Sequence, residues 1–243
     1  MRENIDVGDI VSKVFKTYSQ YAGVLLPVAA VVFLIEALFR LLALESAGLA
    51  LVAAAVSLVV STLYAGMVVV LVDDVRDGRL DHSVGGLLGS VTPVLAALIA
   101  VSVLAALGIT AGLILLIVPG LFLVTIWSVV APVTVLERPG VFAAFSRSRE
   151  LVKGNGWQVF GVIILFVLIF FAIGIVFGIL GAIAGDVGEV VLSYVGSVIT
   201  APLVALAAAV LYFELRMLRE GIPPAVATGP EVPGSFAPPS SGP

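Results

Sequence analysis

Residues 87–136 form one apolar stretch. A helix needs about 20 apolar residues to cross about 30 Å of hydrocarbon, so this stretch is far too long for one crossing. Its natural break is IVPG, Ile117 to Gly120: Pro119 cannot donate an i→i−4 hydrogen bond, and Gly120 tolerates turn geometry. Spans are therefore expected near 90–116 and 120–136. Residues 22–44, 49–72, 157–184 and 189–213 supply four more. The expectation is an all-α polytopic transmembrane bundle of about six spans.

Composition points the same way. Of 243 residues, 61% are hydrophobic and 12% are charged, with a mean hydropathy of +1.24. A soluble domain carries roughly twice that share of charge, because water must be met over most of its surface. Two soluble domains would fit the length, but not this composition. A secretory signal has an apolar core of about 7–15 residues; the first run here reaches from about residue 22 to Leu44, and reads as a retained span.

The basic residues check the span count. Arg2, Lys13 and Lys16 precede span one; Arg76 and Arg79 follow span two. Arg138, Arg147, Arg149 and Lys153 follow span four, and Arg216 and Arg219 end span six. Only Arg40 is left over. The alternate loops, near Glu45, Ile117–Gly120 and Asp186–Glu189, carry no Lys or Arg. Short loops rich in Lys and Arg stay cytoplasmic. Both termini are thus expected in the cytoplasm of a cell whose plasma (inner) membrane holds the chain.

Two amphipathic segments flank this pattern. In residues 5–18, Val7, Ile10, Val11, Val14, Phe15 and Tyr18 recur at helical spacing, with Asp6, Asp9, Lys13 and Lys16 elsewhere around the wheel. Such a helix lies either on the membrane surface or against the bundle. Residues 138–153 repeat the arrangement, with Val141, Phe142, Phe145 and Leu151 against Arg147, Arg149 and Lys153; Trp157 follows at the interfacial depth that indoles favour. The echo suggests an internal duplication. From 221 to 243 the chain is Pro-, Gly- and Ser-rich and reads as a disordered cytoplasmic tail.

Candidate chemistry is sparse. Glu36 and Arg40, four apart, form the one opposite-charge pair inside a span. At 1.5 Å per residue they lie roughly 20–27 Å from the start of span one, where Arg40 can snorkel and neutralise Glu36. Asp73, Asp74, Asp77 and Asp81 gather near His82, but DDVRDG lacks the spacing of a calcium loop and reads as a solvated turn. Gly108 and Gly112, Gly174 and Gly178, Gly181 and Gly185 have the small-residue spacing that brings helices together, within one chain or between two copies. Ser57, Ser61, Ser193, Ser197 and Thr200, with Pro27, Pro93, Pro132 and Pro202, form weak polar stripes that either line a cavity or bond to neighbouring backbone. Arg147, Arg149, Lys153 and Trp157 are the candidate lipid-headgroup contacts, each cation contributing about 1 kcal/mol at an anionic leaflet.

With no Cys and one His, thiolate chemistry, disulfides and His-based metal clusters are excluded. No catalytic, metal or cofactor residues are expected. Nor is nucleic acid a partner, since the net charge is −4 and the cations are dispersed. Partners are expected among membrane lipids, a second copy of the chain or another membrane protein.

The stretch VPGLFLVTIWSVVAPVTVLERPGVFAAFSRSRELVKGNGWQVFGV, residues 118–162, resembles the membrane domain associated with glycerophosphoryl diester phosphodiesterases. The resemblance lies in the Pro-Gly break, the Ala131–Pro132 pair, the helix running from Arg147 and Ser148 through Leu151, Val152, Lys153 and Gly154, and the aromatics Trp157 and Phe160. The opening VGDIVSKVFKTY and the Asp77–Arg79 turn add to it. It implies a bacterial membrane architecture over about residues 5–218. The hydrolase activity belongs to a separate soluble barrel with His, Glu and acidic metal ligands, for which this chain has no room, so no catalytic residue carries over. The expected function is non-enzymatic: an anchor, scaffold or accessory subunit contacting anionic lipid. The alternative is a small-molecule or lipid transporter.

Overall fold

The computed structural model describes residues 5–44, 47–76 and 84–221, and these form helices joined by turns and short irregular links, without a strand. The expected tail, Glu45, the Asp77–Arg79 turn, Asp81 and His82 lie outside the described residues. Eight helices follow in order: α1 Val7–Leu42, α2 Ala47–Arg76, α3 Val84–Val91, α4 Leu95–Leu115, α5 Ile117–Ile126, α6 Val130–Leu136, α7 Val141–Val152 and α8 Gly156–Glu220. A 3-10 turn, Thr92–Val94, places Pro93 between α3 and α4, where no helical N–H is needed from it. Among the described residues five helices are long and apolar enough to cross a membrane: α1, α2, the α3–α4 unit, the α5–α6 unit and α8.

Several elements differ from the sequence expectation. Residues 5–18 and 22–44 are not separate; α1 is continuous for 36 residues, with Asp6 as its N-cap accepting from the Gly8 and Asp9 amides. The amphipathic face of its first turns packs into the bundle, where Ile10 and Val14 are buried. The break in the long apolar stretch falls at Leu116, whose extended backbone (φ −161°, ψ 137°) separates α4 from α5. Pro119 sits inside the first turn of α5, where a missing N–H costs nothing. The expected span 120–136 is two short helices, since the chain leaves helical geometry at Trp127–Val129 before Pro132 enters the first turn of α6. Asp73 and Asp74 belong to the last turn of α2, not to a loop.

The 65-residue α8 is folded in two. Gly185 adopts φ 72°, ψ 179°, a region closed to side chains with a Cβ, and the helix turns back there. Gly181 faces Glu189 and Gly196 faces Phe177, the pairing of an antiparallel hairpin.

The core is densest toward the end of the bundle where α1 begins and α8 finishes. Ile10, Met67, Leu98, Leu151, Leu206 and Tyr212 are buried there. Phenol groups tie the helices by donating to backbone carbonyls: Tyr64 to Leu25 (3.1 Å), Tyr194 to Ala30 (3.1 Å) and Tyr18 to Ile199 (3.3 Å). Trp127 closes over Gly108, and Gly112 meets the Gly120 backbone, so this glycine pair brings α4 and α5 together. Gly174 and Gly178 do not behave so. A Cβ added to either would touch nothing within 4 Å.

Candidate functional site

Two polar regions lie at opposite ends of the helices. Lys13 and Glu36 are 23 residues apart on α1, a rise of about 35 Å. Lys13 donates to Glu214 of α8 at 2.6 Å, so the start of α1 and the end of α8 share one end.

At that end, carboxylates gather the cations. Arg147 Nε donates to Glu137 at 2.7 Å, its other nitrogens reach Glu220 and, at 3.4 Å, Glu150. Arg216 pairs with Glu220 (2.8 Å), and Tyr212 donates to Glu137 (2.9 Å). The Glu137 hydrogen bond, with Glu220 adding to it, holds the Arg147 guanidinium above its ordinary range despite partial desolvation. Arg76 lies over the Phe213 ring, 4.1 Å from its centroid. Arg219 donates to the Lys153 carbonyl.

The α7 helix, expected as an interfacial segment over 138–153, is a distinct helix docked on this end. Its inner face, Ala144, Ser148, Leu151 and Val152, is buried, and the Ser148 hydroxyl donates to the Ile126 carbonyl at 2.8 Å. Its outer face carries Phe142, Ser146, Arg149 and Lys153 at spacings of four, three and four, all exposed. Phe142 is 79% and Trp157 84% exposed, the latter edge-on to Phe160. The four expected headgroup residues therefore divide. Arg149, Lys153 and Trp157 face outward, whereas Arg147 is drawn into the carboxylate network.

At the opposite end, Glu36, Arg40 and Ser57 line a cavity of about 630 Å³ together with Asp186 and Glu189 from the α8 turn. The expected Glu36–Arg40 ion pair does not form among the described residues. Ser57 donates to Glu36 at 2.9 Å instead. Arg40 and Glu189 also line an adjoining groove of about 690 Å³, which runs between the arms of α8 past Gly174, Gly178, Phe177 and Ser197. Ser61 and Thr200 donate to their own helix backbones, and Thr200 also lines the groove. Below the cavity stands Phe33, 5.4 Å from the Tyr64 ring, over buried Leu25 and Met67. Among the described residues no three acidic or His side chains are grouped to share a metal ion.

Asp186 and Glu189 stood in the sequence only as a loop without cations, and nothing in its pattern ties them to residues 36 and 40. Glu137, Glu214 and Glu220 were likewise unmarked. Their positions after apolar runs show which end they occupy but not their partners.

Among the described residues the fold is helical, with five apolar helices of crossing length and charged side chains gathered toward two ends, the build of a membrane-embedded protein. The chain belongs to the family described as Domain of unknown function (DUF8558), whose model matches residues 80–216, more than half its length. The match spans most of α3 to α8, so α1 and α2, which supply Glu36, Arg40 and Ser57, lie outside it. No curated protein and no solved structure matches the chain.

Proposed function

We propose that this chain is a non-enzymatic, six-span plasma-membrane anchor or scaffold whose cytoplasmic face rests on anionic lipid headgroups. The count of six is supported by the fold-back at Gly185, which makes two crossings of α8. The Lys13–Glu214 contact brings the two ends of the described chain together, as an even number of crossings requires. Assigning that end to the cytoplasm rests on the cation-rich loops.

The observation that carries the headgroup reading is the outer stripe of α7. Phe142 and Trp157 bracket Arg149 and Lys153, and all four side chains are exposed. Aromatic side chains favour the interfacial depth, and each cation beside them adds about 1 kcal/mol of attraction to an anionic leaflet. Arg147 shapes the surface from behind. The likeness to the phosphodiesterase-associated membrane domain is part of this reading and rests on the sequence quoted above.

The test is lipid capture after reconstitution into vesicles of mixed phosphatidylglycerol and phosphatidylcholine. The Arg149→Gln/Lys153→Gln protein is expected to retain less phosphatidylglycerol than wild type; equal retention refutes the headgroup role. The second reading, a transporter, draws on the cavity lined by Glu36, Ser57 and Asp186. The Phe33–Tyr64–Met67 layer argues against a continuous path. Aqueous thiol labelling of Ser193→Cys and Ser197→Cys but not Met67→Cys is the pattern of a cleft, and labelling of all three is that of a pathway.

A further inference from the structure

The cavity at the far end from the Arg147 network joins a groove that opens along the α8 hairpin. Arg40 and Glu189 are common to both. Phe170 and Val204 at the groove's far end also line a further apolar cavity of about 250 Å³. The charged part is thus confined to one end; Ser193, Ser197 and Thr200 line the groove beyond it, and the walls become apolar at Phe170 and Val204, toward the middle of the bundle. From Glu189 to Val204 the helix rises about 22 Å. That is half of a bilayer measured at about 40–45 Å with its headgroup regions.

We infer that this cleft holds one zwitterionic phospholipid with a primary amine, of the phosphatidylethanolamine class, drawn from the leaflet opposite the Arg147 network. The chemistry of the walls selects it. An ammonium group has three N–H donors and no acceptor, and Glu36, Asp186 and Glu189 offer carboxylate oxygens. Arg40 carries the planar fork suited to a phosphate and stands where the cavity meets the groove, between headgroup and tails. An acyl chain then lies along Gly174 and Gly178, where the absent Cβ atoms leave open space.

Other occupants fit less well. A net-anionic headgroup meets, among the described residues, three carboxylates against one guanidinium. A bare cation leaves the apolar groove unfilled. A second copy of the chain related by a two-fold axis would set this acidic patch against itself, an arrangement of like charges that opposes association. The inference does not depend on the headgroup role of α7, which lies at the other end.

The test uses the full chain reconstituted into vesicles of equal phosphatidylethanolamine, phosphatidylcholine and phosphatidylglycerol, extracted in mild detergent, with bound lipid quantified by mass spectrometry. Wild type is expected to retain phosphatidylethanolamine above the vesicle proportion. Arg40→Gln, Glu36→Gln/Glu189→Gln and Gly178→Leu should each lower that retention about tenfold, the loss of roughly 1.4 kcal/mol of binding. Arg149→Gln/Lys153→Gln should leave it unchanged while lowering phosphatidylglycerol, which separates the two sites. Retention of phosphatidylcholine equal to phosphatidylethanolamine overturns the inference. So does unchanged retention in Gly178→Leu, or a cross-chain disulfide in Gly178→Cys without bound phosphatidylethanolamine.

Discussion

The Arg147 guanidinium donates to the Glu137 carboxylate at 2.7 Å, joining α7 to the residue that caps α6. Because Tyr212 donates to the other oxygen of Glu137, the pair also reaches the second arm of α8. Three elements at the end of the bundle are thus held by one carboxylate. Arg147→Gln is expected to destabilise the protein by about 1–3 kcal/mol, since it leaves a part-buried carboxylate short of its charged donor. Arg149→Gln, on the exposed face, should cost less than about 0.5 kcal/mol. Thermal unfolding in detergent distinguishes them, and equal losses would contradict the division of the basic residues.

Glu220, the last residue of α8 and beyond its apolar stretch, gives this network a pH dependence. Its hydrogen bond from Arg216, with that from Arg147, holds its carboxyl below the usual carboxylate range. A lowered folded value means that the stabilisation is present above the unfolded value and is lost as pH falls through the folded one. The wild-type melting temperature should therefore decline below the usual carboxylate range by more than that of Glu220→Gln. Parallel decline of the two proteins would show that the pair is not formed.

Two glycines in the apolar helices should respond oppositely to one added methyl. A Cβ on Gly120 would come within 2.7 Å of the Leu113 backbone nitrogen, and backbone yields little. Gly120→Ala is expected to cost about 1–3 kcal/mol through overpacking. At Gly178 there is open space, so Gly178→Ala should be neutral or stabilising by up to about 1 kcal/mol from helix propensity. Chemical or thermal denaturation of the two proteins reads the difference.

Tyr64 is buried and its hydroxyl donates to the Leu25 carbonyl of α1. Tyr64→Phe keeps the ring against Phe33 and removes that bond alone. The expected cost is about 0.5–1.5 kcal/mol, read as a lowered melting temperature without loss of helical signal.

The sequence showed the helices well and their joints less well. Apolar runs located the long helices because that signal is local to a stretch of chain. The continuity of α1 is hidden in the sequence, since an amphipathic stretch looks alike on a membrane surface and against a bundle; the burial of Ile10 and Val14 and the Lys13–Glu214 contact separate the two. Pro119 draws the expected break away from Leu116 because proline ends a helix interior, yet it is at home in a first turn. The candidate sites depend on contacts between distant residues. Spacing of four puts Glu36 beside Arg40, but Ser57 from the next helix takes the carboxylate instead. Likewise, no local pattern distinguishes Arg147 from Arg149, two residues apart on α7, until Glu137 and Glu220 are in place.

The central claim is that the end holding Lys13, Glu214 and α7 faces the cytoplasm and that the α8 turn faces the other side. Single cysteines at Arg149, Val187 and a tail position such as Ser240, introduced into this Cys-free chain, test it directly in intact cells and inverted vesicles with a membrane-impermeant thiol reagent. The account predicts that Val187→Cys is labelled from outside only, and Arg149→Cys and Ser240→Cys from the cytoplasmic side only. Labelling of all three from one side would contradict it.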